Sequence, residues 1–131
     1  MRVVKFDRSE AIPIVMAKLF GPNGEISLKL IFDTGSQFSM IDTYLIEEAG
    51  YSARDGLEVA SISGATGEAQ PGYLLEVEAL NFLGTKAEKL RVGAFDFDHF
   101  SHFGAEGILG FDLIKELHLE MNGPEGTLKI F

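Results

Sequence analysis

Between Glu25 and Phe32 the side chains alternate. Ile26, Leu28, Leu30 and Phe32 share one face, and Ser27, Lys29 and Ile31 share the other. That period of two is a half-buried β-strand. It does not run out into a loop of arbitrary chemistry. Its last apolar residue hands the chain straight to Asp33-Thr34-Gly35-Ser36. A carboxylate set there faces burial, which disfavours its charged form unless nearby donors satisfy it. Thr34 and Ser36 supply hydroxyls, and Gly35 lets backbone amides come close. Taken alone, Asp33-Thr34-Gly35 reads equally as an Asx-type turn closing the strand.

The rest of the chain sets the frame around that segment. Ile12–Phe20 is a strand candidate, turning through Gly21-Pro22-Asn23-Gly24 into Glu25–Phe32. Asp42 or Thr43 can cap a short helix over Tyr44–Ala49, with Gly50 as its stop. Leu57–Ile62 and Tyr73–Leu80 are two further strands around a small, glycine-rich tip, Ser63–Gly72. Leu90, Val92 and Ala94 alternate again. Gly107-Ile108-Leu109-Gly110 precedes Phe111–Leu119, whose leucine spacing predicts a second helix. Leu119–Met121 and Thr127–Phe131 predict a closing hairpin. Fifteen glycines in many turns fit a mainly β class, and 131 residues fit one domain spanning residues 1–131.

Ile31-Phe32-Asp33-Thr34-Gly35-Ser36, the glycine-rich hairpin around Ser61–Pro71, and Ile108-Leu109-Gly110 ahead of a helix occur in an order that resembles the retropepsin-like aspartic peptidases. The resemblance runs from about Ile12 to Phe131. It is closer to cellular and bacterial members than to viral ones, which usually carry Arg where this chain has Phe111. The resemblance implies a closed β-barrel of the acid-protease fold with one or two short helices. It also implies a homodimer, because each chain brings one motif and the reaction needs two carboxylates. Asp33 is then the catalytic residue. The two copies share a proton on the symmetry axis and activate a water for attack on a peptide bond. Thr34 bridges to the partner, Gly35 permits the close turn, and Ser36 hydrogen-bonds the outer carboxylate oxygen. Ile108, Leu109 and Gly110 pack under the loop. Ile62, Ser63, Gly64, Ala65, Thr66 and Gly67 form a flap over an extended peptide or protein substrate. The terminal segments Met1–Lys5 and Thr127–Phe131 supply strands at the dimer interface. No metal or cofactor is implied.

Other readings stay in view. The same fold without turnover would be a peptide-binding or dimerisation module. Asp96-Phe97-Asp98-His99-Phe100-Ser101-His102 could hold a divalent metal, although a solvated loop with its aromatics tucked inward accounts for it as well. Phe95, Phe97, Phe100, Phe103 and Phe111 read as core or as pocket lining. Tyr73 follows Pro71-Gly72 too late to sit at a flap tip.

Charge and composition exclude several classes. Twenty acidic against 11 basic residues give a net charge of −9, so nucleic acid and anionic membrane surfaces are excluded as partners. Cysteine is absent, which removes disulfides and thiolate chemistry. The longest uncharged run, Val59–Gly67, is too short to span a membrane. The charged N-terminal residues Met1–Arg8 do not form a secretory signal. The expectation is therefore a cytoplasmic protein.

Overall fold

The computed structural model describes residues 1–63, 69–97 and 104–131. Its central hairpin pairs β2 (Ile14–Gly21) with β3 (Gly24–Phe32). Gly24 closes the turn at a φ of 103°, a left-handed conformation that glycine adopts without strain. The alternation read in the sequence is the one observed. Leu28 and Leu30 are wholly buried and Phe32 nearly so, against Val15, Ala17 and Leu19 of β2. Each such leucine contributes about 1.5–3 kcal/mol of burial.

The chain continues through β4 (Met40–Asp42), α1 (Thr43–Glu48), a 3-10 turn (Ala53–Asp55), β5 (Gly56–Ser63), β6 (Ala69–Phe82) and β7 (Thr85–Phe95). It then forms β8 (Gly107–Leu109), α2 (Phe111–Ile114), β9 (Leu119–Asn122) and β10 (Thr127–Ile130). The large sheet runs β2-β3-β8-β4-β7-β6-β5, and β2 also pairs with β6. Six strands thus close on themselves into a barrel, and β5 stands outside the ring as the partner of β6. The Tyr51 hydroxyl donates to Phe20 O at 2.7 Å and accepts from Glu78 N at 2.8 Å, clipping β2 to β6. The expected mainly β barrel with two short helices is the architecture found. No helix among the described residues is long and apolar enough to cross a membrane.

One feature differs from the sequence reading, and two add to it. The β6–β7 hairpin turns at Leu83-Gly84, with φ of 49° and 75°. A left-handed leucine costs about 1–2 kcal/mol, which burial of its side chain to 2% exposure offsets. The helix expected over Phe111–Leu119 stops at Ile114. Glu116 and Leu117 donate to carbonyls three residues back, and Leu119 is already in β9. The last feature lies at the termini. β1 (Arg2–Lys5) pairs with β10 of its own chain, and β9 completes a three-stranded sheet of order β1-β10-β9. These terminal strands bond to each other within the chain, and β1 and β9 are the edges of their sheet. Leu128 and Ile130 turn this sheet's inner face to the main core.

α1 matches its expectation. Asp42 caps it by accepting from Tyr44 N at 3.1 Å, and Gly50 leaves it with a φ of 104°.

Candidate active site

β3 ends at Phe32, and the chain must reach β4. The two strands are not neighbours, because β8 lies between them, parallel to β3 and antiparallel to β4. Residues 33–39 therefore cross the end of β8, and the contact is backbone on backbone. Asp33 N donates to Leu109 O at 3.0 Å, and Phe111 N donates to Ser36 O at 2.8 Å. Gly110 serves this close approach, and Gly107 serves the pairing of β8 with β4. A Cβ on Gly107 would lie 2.3 Å from Met40 O, and one on Gly110 would lie 2.6 Å from Phe38 O. The structure thus brings Asp33, Thr34, Gly35 and Ser36 together with Ile108, Leu109 and Gly110. Leu109 and Gly110 are buried, and Ile108 is half-buried.

The Asp33 side chain is half-buried, while Thr34 and Gly35 are exposed. Asp33 Oδ1 accepts from Gly35 N at 2.9 Å. No cation among the described residues pairs with this carboxylate. Ser36 differs from its expectation. Its Oγ donates to Phe38 O at 2.8 Å, so its one hydroxyl proton is spent within the loop and not on the Asp33 carboxylate.

Two residues outside the expected set complete the loop. Ser39 is only 1% exposed. Its N and Oγ donate to the two oxygens of Asp112, at 3.1 and 2.8 Å, and its Oγ accepts from Gly110 N at 2.9 Å. The available signals were a serine between the apolar Phe38 and Met40, and an acid just past Gly110. Neither signal points to the other. Phe111, at the position after Gly110, exposes half of its ring instead of making an ion pair.

Of the expected flap residues, Ile62 and Ser63 lie in β5, paired with Gln70 and Ala69. Gly64, Ala65, Thr66 and Gly67 lie outside the described residues. Tyr73 sits at the base of this hairpin. Its hydroxyl is buried with no hydrogen-bond partner among the described residues. That burial pushes its pKa above the ordinary phenol value, and Glu47 and Asp55 add to the shift.

The aromatic residues divide. Phe95 and Phe97 form a small core with Met40, while Phe111 faces solvent. Phe100 and Phe103 lie outside the described residues. So does most of the loop considered for metal, from Asp98 to His102. Among the described residues no group of three acids or histidines is placed to hold a metal ion.

The barrel and its crossing loop have counterparts. A retropepsin-like aspartic protease from Rickettsia conorii superposes with a TM-score of 0.68 at 13% identity, over 99% of this chain and 97% of that one. The retroviral protease-like domain of Ddi1 from Leishmania major superposes with a TM-score of 0.58 at 16% identity, over 91% of this chain and 87% of that one. Both are cellular proteins, and at these identities they show a shared fold. No curated protein matches the sequence. The family model for aspartyl proteases matches residues 15–113, from the first barrel strand through the turn after Gly110. A match over most of the chain, on the segments that build the Asp33 loop, makes this chain a member of the aspartyl protease family, in its retropepsin-like form.

Proposed function

We propose that the protein is an aspartic endopeptidase and that its active form is a homodimer. The observation that carries this reading is the Asp33 carboxylate itself. It stands at a strand end, half-open to solvent, oriented by the Gly35 amide and neutralised by no cation among the described residues. One chain offers one such group, and a two-fold axis beside Asp33 would bring a second. Two carboxylates that close share one proton. The ionised one takes a proton from a bound water as the water oxygen attacks the peptide carbonyl carbon. The protonated one hydrogen-bonds the carbonyl oxygen, where negative charge develops. Collapse of the adduct breaks the C–N bond, and the amine leaves with a proton from the pair.

Thr34 is exposed on this face and available to the partner chain. Residues 62–67, at the end of the β5–β6 hairpin, would cover an extended peptide and bond its backbone as an added strand does. The 131 residues act here as one domain.

The test is a peptide-library digest read by mass spectrometry from about pH 4 to 7, with the native chain beside Asp33→Asn. Cuts that vanish in the variant support the dyad. Cuts that persist overturn it. If neither protein cleaves, the weight moves to a binding module on the same barrel.

A further inference from the structure

We propose that Asp112 is a positioning residue for the Asp33 loop, acting through Ser39. This inference rests on the peptidase reading for its effect on rate, but its structural half can be read without activity. The loop over residues 33–39 has an exposed outer side: Thr34, Gly35, Gln37 and Phe38 all face solvent. Side-chain packing therefore does little to hold that side. The loop is fixed to the 107–112 segment at three places. Two are the backbone bonds at Asp33 and Ser36. The third is Ser39.

Every polar atom of Ser39 is engaged. Its N–H and O–H go to Asp112, its Oγ accepts from Gly110 N, and its carbonyl accepts from Gly93 N at 3.0 Å. Asp112 supplies the charge in this knot. A carboxylate accepting two donors makes stronger bonds than a neutral acceptor does. The strain of losing it would run back along the chain in short steps. Ser39 adjoins Phe38, and the Phe38 carbonyl accepts from Ser36 Oγ. Ser36 adjoins Gly35, whose amide orients Asp33 Oδ1. Asp112 itself need touch neither substrate nor water. Its influence is on where the Asp33 oxygen points, and small displacements of a reacting group lower rate more than binding.

The experiment compares Asp112→Asn, Ser39→Ala and the double variant in the full chain. Asparagine keeps the size of Asp112 but presents an NH2 to one of the Ser39 donors. With a peptide substrate, kcat should fall about 10–100-fold while KM stays within about threefold, as expected for a lost charged hydrogen bond felt at the reacting group. The double variant should be no slower than the worse single one, because the residues act as one unit. Hydrogen exchange over residues 33–39 should quicken about tenfold, with β9 and β10 unchanged. Asp33→Asn run alongside separates the two readings. If it leaves cleavage intact, the peptidase assignment fails, and exchange over residues 33–39 still decides the role of Asp112. Unchanged exchange in both single variants overturns the proposal. So does a kcat within about twofold of the native value in a protein that Asp33→Asn silences. Faster exchange across the whole barrel would make Asp112 a residue of the fold and also overturn it. Should Asp112→Asn not fold, Ser39→Ala carries the same three readouts.

Discussion

The loop that carries Asp33 and the hairpin of β5 and β6 leave the same barrel and are held in opposite ways. The loop lies across β8 with its backbone in contact, tied by hydrogen bonds at Asp33, Ser36 and Ser39. Gly110 lets it approach so closely that a Cβ there would lie 2.6 Å from Phe38 O. The hairpin is held by its own ladder and, at its base, by Ala60 packing on the Met40–Phe95–Phe97 cluster and Gly72 lying close against Phe95. Residues 69–72 of β6 pair with β5 alone, and β5 is the sheet's free edge. On that edge Val59 is 88% exposed and Leu57 51%. Local stability follows the density of buried contacts and protected bonds. The loop that carries Asp33 is thus tied to β8 along its length, and the outer edge of the hairpin is open to solvent.

The largest expected effect tests the first half of that contrast. Gly110→Ala places a methyl group 2.6 Å from Phe38 O and 2.7 Å from the Phe38 carbonyl carbon. Backbone cannot give way cheaply, so the substitution should destabilise by about 3 kcal/mol. Urea unfolding measures it, with Gly123→Ala as the control, since nothing lies within 4 Å of a Cβ there. If Gly110→Ala unfolds like the control, the crossing is not tight, and the contrast breaks.

A smaller effect is expected where the barrel closes. Tyr51→Phe leaves the Phe20 carbonyl and the Glu78 amide without the hydroxyl between them. The loss should be about 1–3 kcal/mol. Burial pushes the Tyr51 pKa above the ordinary phenol value, so the folded chain holds that proton more tightly than the unfolded one. The resulting stability is complete below about pH 10 and is lost as pH rises through the higher folded value. Unfolding midpoints from about pH 8 to 11 should therefore fall less steeply in the Phe variant. Tyr73 shifts in the same direction and keeps part of the slope. An identical slope in the two proteins would place the alkaline loss elsewhere.

What the sequence made legible follows from the range of the forces involved. The β2–β3 hairpin and the α1 cap depend on neighbours a few residues apart, and Ile26 to Phe32 and Asp42 to Gly50 display them directly. The crossing at β8 does not. Three residues of β8 and three of β4 are too short to show a period, and their pairing joins segments far apart in the chain. Gly107 and Gly110 were visible as a bracket, but the reason for them, contact with Met40 O and Phe38 O, lies on another segment. The pair Ser39 and Asp112 was illegible for the same cause. The left-handed Leu83 runs against local propensity and exists because burial outweighs it. The short α2 likewise yields to β9, whose register with β10 claims Leu119.

The smallest expected effect tests the hairpin. Val59→Thr keeps a β-branched shape suited to a strand and changes a side chain that solvent already surrounds. Stability should move by no more than about 0.5 kcal/mol, and urea unfolding beside the Gly110 pair gives the comparison on one scale. The outcome carries weight because an exposed apolar edge strand invites pairing with another chain. If Val59→Thr lowers stability by more than about 1 kcal/mol, something covers that edge in solution. A loss that grows with protein concentration would identify the cover as a second copy of this chain, by mass action. A null result at every concentration leaves the β5 edge open in solution, and the difference between the two regions becomes a difference in measured stability.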